Sequence, residues 1–240
     1  MFALLTYIWG FVLHVRENDS VGIAAGAAFF FLIALFPLLM MASWILDYFD
    51  LSLATLEGFL PAGMIELFET GGMASPKTMW SPVSALLALW SGSAGVWGLM
   101  KGVNKAYTGK PLASVGARLF AVFLTLCFLA VLALTLAFVA LDRWGSLLMT
   151  GAAIFLLLFA LYYFTPGASA RPGRALWTAA LAAGCWLLVS KGFEIYMGHF
   201  ANYNVLYGSL GAFLGLALWV FIISAVIILG AELGAVQRRS

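Results

Sequence analysis

The sequence predicts an all-α polytopic membrane protein: six transmembrane helices, an N-terminal interfacial helix and short amphipathic helices in an outer loop. Three observations carry that prediction. Only 22 of 240 residues are charged, and they come in short clusters. No charge falls between Asp19 and Asp47, Lys77 and Lys101, Arg118 and Asp142, or Arg143 and Arg171, gaps of 27, 23, 23 and 27 residues. About 20 apolar residues in a helix cross the hydrocarbon core. The chain is also 64% hydrophobic and 9% charged, far below the roughly 25% charge of a soluble domain.

Taken in order, the first element is Phe2 to Val15, which is apolar but too short to span. With Tyr7 and Trp9 at headgroup level it reads as an interfacial helix. It does not read as a signal peptide. No Lys or Arg precedes the apolar run, and no small-residue cleavage site comes before Arg16-Glu17-Asn18-Asp19. The first span is expected at about 22–46, with Pro37 freeing a carbonyl and kinking the helix.

The longest loop, 47–79, is not simply polar. Leu51, Leu53, Leu56, Phe59 and Leu60 recur at roughly helical spacing, as do Met64, Ile65, Leu67 and Phe68, with Pro61 and Gly63 between the two sets. Two short amphipathic helices, resting on the outer leaflet or capping the bundle, fit that pattern.

The second span, about 80–101, places Gly92, Gly95, Gly98 and Gly102 near one helical stripe. Small residues let helix backbones approach closely. The functional alternative is that Ser91, Ser93 and Asn104 line a polar cavity or hinge, although Asn104 has backbone nearby to bond. The third and fourth spans are expected at 118–141 and 145–166, with Pro166 stopping the latter.

The fifth, 174–197, is the least clean. Its uncharged core from Ala175 to Ser190 has 16 residues, and Lys191 and Glu194 follow at an i, i+3 spacing that lets them pair. The sixth, 207–231, opens with Tyr207-Gly208-Ser209-Leu210-Gly211 and closes with Gly230-Ala231-Glu232-Leu233-Gly234. Glu232 is an ionisable residue near membrane depth, which suggests a structural cap or salt bridge, a substrate or proton role, or an ordinary wet interfacial residue. Cys127 and Cys185 lie inside apolar stretches and are expected to pack as buried thiols.

One set of loops holds Arg16, Lys101, Lys105, Lys110, Arg118, Arg171, Arg174, Arg238 and Arg239, and the other only Lys77, Arg143 and Lys191. The positive-inside rule puts the first set, and with it both termini, in the cytoplasm.

Several function classes lack their signatures. There is no basic stripe for nucleic acid, no Walker-type phosphate loop and no Cys/His cluster with metal-ligand spacing. His14 and His199 fall on opposite sides in this topology. Catalytic, metal and cofactor residues are therefore expected to be absent.

Four stretches in order resemble one family: Ala24-Ala25-Gly26-Ala27-Ala28-Phe29-Phe30 to Leu35-Phe36-Pro37-Leu38-Leu39; Leu89-Trp90-Ser91 to Asn104-Lys105-Ala106-Tyr107; Tyr162-Tyr163-Phe164-Thr165-Pro166; and Tyr207-Gly208-Ser209-Leu210 through Trp219 to Gly230-Ala231-Glu232-Leu233. Together they resemble the YihY/BrkB family of bacterial inner-membrane proteins over nearly the whole chain. Family members often have tyrosines where Phe29 and Phe30 stand, and a serine where Ala34 stands. The resemblance implies a six-helix inner-membrane protein, tied to envelope biogenesis or lipid movement. The family's old ribonuclease label is widely regarded as a misassignment, and the residues of this sequence give it no support.

The leading expectation is a non-enzymatic, transporter-like protein for a lipid or other amphiphile. Candidate substrate or coupling residues are Lys191, Glu194, Glu232, Asn104, Ser93 and Tyr207. Hinge or packing candidates are Pro37, Gly92, Gly95, Gly208 and Gly211. Membrane lipids are the expected partners, with envelope proteins possible through the outer loop. A scaffold that binds through that loop is the alternative, and a membrane-bound hydrolase or nuclease ranks last.

Overall fold

A computed structural model describes residues 2–48, 81–139, 143–167, 172–199 and 204–239. Among these, the regular elements are α-helices: α1 Phe2–Glu17, α2 Ser20–Tyr48, α3 Ser81–Thr108, α4 Val115–Val139, α5 Arg143–Phe164, α6 Pro172–His199 and α7 Asn204–Arg239. Each expected span coincides with one helix from α2 to α7. The outer amphipathic loop, 47–79, falls almost entirely outside the described residues.

Among the described residues, four helices contain stretches long and apolar enough to cross a membrane: Ser20–Leu38, Val83–Thr108, Pro172–Phe193 and Phe213–Val236. In α4 and α5 the apolar stretches among the described residues are shorter, Val115–Val131 and Gly151–Phe164. Large apolar side chains are exposed around the bundle, among them Phe29 on α2, Trp90 on α3, Leu119 on α4, Leu156 on α5, Leu188 on α6 and Leu214 on α7. In water such a surface would drive aggregation, whereas lipid covers it at no cost. Cys185 belongs to this exterior rather than to the core, which corrects the expectation of a buried thiol; Cys127 is half-buried, and both are free.

Consecutive helices from α2 to α7 pack side by side, α7 returns to pack on α2, and α3 also meets α7 across the bundle. The first helix lies against α2 and α7. Glycines set the approach distances. A Cβ at Gly98 would stand 3.2 Å from the Ala27 Cα, so α2 and α3 touch almost backbone to backbone there. Gly95 faces Phe31 of α2, Gly92 faces Thr125 of α4, and Gly102 faces Ile228 of α7. The expected single stripe therefore serves three partner helices. Three-residue steps fall about 60° short of a full turn, so the small surface winds around α3.

Helix ends follow local chemistry. Gly109, at φ +67°, ends α3 in the left-handed conformation that favours glycine, and its N–H donates to the Lys105 carbonyl. Ser114 caps α4, its hydroxyl accepting from the Ala117 N–H. Pro166 is the second residue after the end of α5, as expected of a helix stop, and Gly167 then turns the chain at φ +85°. Pro37 sits inside α2, which continues as a helix on both sides of it.

Candidate functional site

Near its C-terminal end, α7 carries Ala231 and Glu232, both fully buried. A carboxyl enclosed this way needs partners, because an unpaired one would lose its hydration with nothing in return. All of its partners come from the other end of the chain. His14 Nδ1 lies 2.5 Å from Glu232 Oε2. Asn18 Nδ2 donates to both carboxyl oxygens, at 3.1 and 3.2 Å. The Ser20 hydroxyl donates to Oε1 at 2.5 Å. One proton must lie between Nδ1 and Oε2, on the imidazole or on the acid.

The turn between α1 and α2 builds this arrangement. His14 and Asn18 are four residues apart, hence on one face at the end of α1. The chain then passes through Asp19 at φ 52°, a left-handed conformation that Asp tolerates better than most residues. It enters α2 at Ser20, with the Ile23 N–H donating to the Asp19 carbonyl. Gly22 leaves room for the Asp19 carboxylate, which would lie 2.6 Å from any Cβ there. The turn thus aims Asn18 and Ser20, both buried, at one carboxyl.

The surroundings tie the remaining helices to this end of α7. The Tyr162 hydroxyl of α5 donates to the Ile227 carbonyl at 2.7 Å. Gly230 gives room to that hydroxyl, and Gly234 to the side chains of Tyr107 on α3 and Thr178 on α6. The small residues flanking Glu232 therefore serve close packing, as their spacing suggests.

The other expected site residues are dispersed. Asn104 is buried, and its amide donates to the Lys110 carbonyl at 2.7 Å and to the Thr108 hydroxyl at 3.3 Å. It closes the turn after α3, and its Oδ1 crowds Gly167 after α5. Ser93 is buried and bonds the Trp90 carbonyl of its own helix, while Arg118 of α4 donates to both its carbonyl and its hydroxyl. Ser91 likewise bonds the Leu87 carbonyl.

Lys191 is exposed on α6, 13 residues beyond Thr178, or roughly 20 Å along the helix from the Glu232 end. The side chain of Glu194, and those of Tyr207, Gly208 and Gly211 in α7, lie outside the described residues. The structure thus separates Lys191 from Glu232 and brings neither to Asn104 or Ser93.

His14, Asn18 and Ser20 were not among the expected site residues. Their signal was present in the sequence: three polar groups clustered where an otherwise apolar helix ends. What hid it was distance, since Glu232 lies 218 residues beyond His14. Among the described residues no three His, Cys, Asp or Glu side chains gather as a metal site would require.

Comparison with known proteins agrees with this architecture. The family described as virulence factor BrkB matches residues 11–240. YfkH of Bacillus subtilis strain 168, named as a ribonuclease-like protein, is 28% identical over 268 residues, covering 95% of this chain and 92% of that protein. A UPF0761 membrane protein of Pseudoalteromonas atlantica is 37% identical over 75 residues, 31% of this chain and 25% of its own length. One from Aliivibrio salmonicida is 38% identical over 76 residues, 31% of this chain and 24% of that protein. The chain thus spans most of YfkH and about a quarter of these UPF0761 proteins. No solved structure matches. With residues 11–240 matched by that family model, the chain belongs to the BrkB family of membrane proteins.

Proposed function

We propose that this protein is a non-enzymatic, transporter-like component of the bacterial inner membrane that handles a lipid or other amphiphile in envelope biogenesis. All six helices from α2 to α7 span the bilayer as a single domain, and both termini face the cytoplasm. The observation that carries the reading is the enclosed Glu232 carboxyl. An ionisable group inside a membrane bundle marks a functional position by default. His14 and Asn18, two of its partners, sit at the end of α1 and Ser20 opens α2, and α1 exposes Trp9, Val12 and Leu13 as a helix lying in the headgroup layer would. Tilting of α1 would withdraw His14 and Asn18 from Glu232, leaving it the Ser20 hydroxyl of α2, and open that end of the bundle.

The test is movement of a fluorescent phospholipid across liposomes that contain the purified full-length chain. Wild-type protein accelerates it, and Glu232→Gln slows it about tenfold while the protein stays folded. No acceleration by wild type, with no lipid copurifying, ends this reading.

A scaffold is the second reading, and one observation favours it: Glu232 is fully partnered, as a permanent clasp between the chain ends would be. A scaffold that binds through the outer loop loses function when residues 51–69 are replaced, and keeps it in Glu232→Gln, which retains the volume and one acceptor of the clasp.

A further inference from the structure

The α3–α4 hairpin carries a charge imbalance that the Glu232 site does not absorb. From residue 81 to 139 the chain contains Lys101, Lys105, Lys110 and Arg118, and no aspartate or glutamate. Two of these cations converge on one ring. Lys101 Nζ stands 5.6 Å from the centre of the Trp97 ring, and the Arg118 guanidinium carbon stands 5.9 Å from it. Arg118 is held from behind, with Nη1 donating to the Ser93 carbonyl at 2.9 Å and Nη2 reaching the Ser93 hydroxyl at 3.4 Å. Those contacts occupy two of the five guanidinium N–H groups. Among the described residues, neither cation has a carboxylate partner.

The position of the pair matters as much as its charge. Arg118 lies one turn inside α4, and Lys101 two turns before the end of α3, beside the exposed loop at Gly109–Pro111. From there toward the middle of the bundle the outer faces turn apolar. Trp90 and Leu86 are exposed on α3, and Leu119, Phe123 and Leu126 on α4. A guanidinium held in place and an ammonium that reaches the same ring supply the charge and donors a phosphate needs. The aromatic face keeps both cations in place without neutralising them. A free phosphate would leave the apolar flanks unused, whereas a lipid phosphate engages both parts.

We propose that Lys101, Trp97 and Arg118 form a binding site for the phosphate headgroup of an anionic phospholipid, whose acyl chains lie along the exposed faces of α3 and α4. This site is distinct from Glu232 and does not require that the protein move lipid.

The test uses full-length protein reconstituted in bilayers of equal phosphatidylglycerol and phosphatidylcholine, extracted in mild detergent and read by native mass spectrometry. Wild type retains phosphatidylglycerol over phosphatidylcholine. Lys101→Gln and Arg118→Gln each reduce retention about fivefold, the factor that roughly 1 kcal/mol per basic residue near the membrane surface corresponds to. Arg16→Gln, an exposed cation on α1, leaves it unchanged. Should Arg118→Gln fail to fold, Lys101→Gln carries the test, because that side chain is exposed. Equal retention of the two lipids by wild type, or full retention by Lys101→Gln, overturns the proposal. So does displacement of the lipid by excess inorganic phosphate, which would mark a site for the free anion. Loss of lipid movement with retention intact would instead sink the transport reading alone.

Discussion

Side chains of His14, Asn18 and Ser20 meet on the Glu232 carboxyl, and exchanging Glu232 for an apolar group would take from all three the partner they share. Removing one partner from a buried polar set leaves groups that have already lost their water. Glu232→Ala is therefore expected to destabilise the fold by about 2–4 kcal/mol, measured as a lowered midpoint of unfolding in mixed detergent micelles. Glu232→Gln keeps the volume and one acceptor, so its loss is smaller. An equal midpoint for wild type and Glu232→Ala would mean the cluster is not a structural clasp. In the sequence, Glu232 was recognisable as an ionisable residue among small ones. Its partners were not, because polar residues at a helix end usually cap that end, and nothing local shows that these point elsewhere. Ser93 is the reverse case: it reads as a cavity residue, yet its hydroxyl bonds its own helix and its carbonyl anchors Arg118.

At the scale of elements, the glycines of α3 decide which helices touch. Gly98→Val is expected to cost about 1–3 kcal/mol through overpacking, because the added atoms meet the Ala27 backbone and backbone cannot rotate away. Gly184→Ala on α6 has nothing within 4 Å of the added carbon and is expected to be neutral. Parallel thermal unfolding of the two variants checks the contrast, and similar losses would remove the close-approach argument. Helix positions were legible because a charge gap reports the helix within it regardless of neighbours. Helix ends shifted by several residues, as α3 runs on to Thr108 and α7 to Arg239. Lys101, Lys105 and Glu232 stay within helices, since a helix satisfies its backbone whether its side chains meet lipid, protein or water.

For the whole molecule, contacts gather one set of segments at one end. Gly102 faces Ile228, Gly234 faces Tyr107 and Thr178, Gly167 faces Asn104, and Glu232 holds the α1–α2 turn. Arg16, Lys101, Lys105, Lys110, Arg118 and Arg174 belong to these segments, the set that the positive-inside rule assigns to the cytoplasm. Single cysteines at Ser114 and Ser240, in a chain lacking Cys127 and Cys185, are expected to resist a membrane-impermeant maleimide in intact spheroplasts and to react after lysis. A cysteine at Thr70 is expected to react in both. Labelling of Ser240 in intact spheroplasts would overturn the orientation.

The membrane class and the family were determined by the sequence alone, because lipid imposes a length and a polarity that each helix must meet by itself. Only the tertiary structure decided that α7 closes back onto α2 and that α1 clasps α7 through Glu232. It alone set Arg118 and Lys101 over Trp97. Those contacts join residues far apart in the chain, and helix rotation about its own axis, which sets them, depends on neighbours that no local pattern encodes.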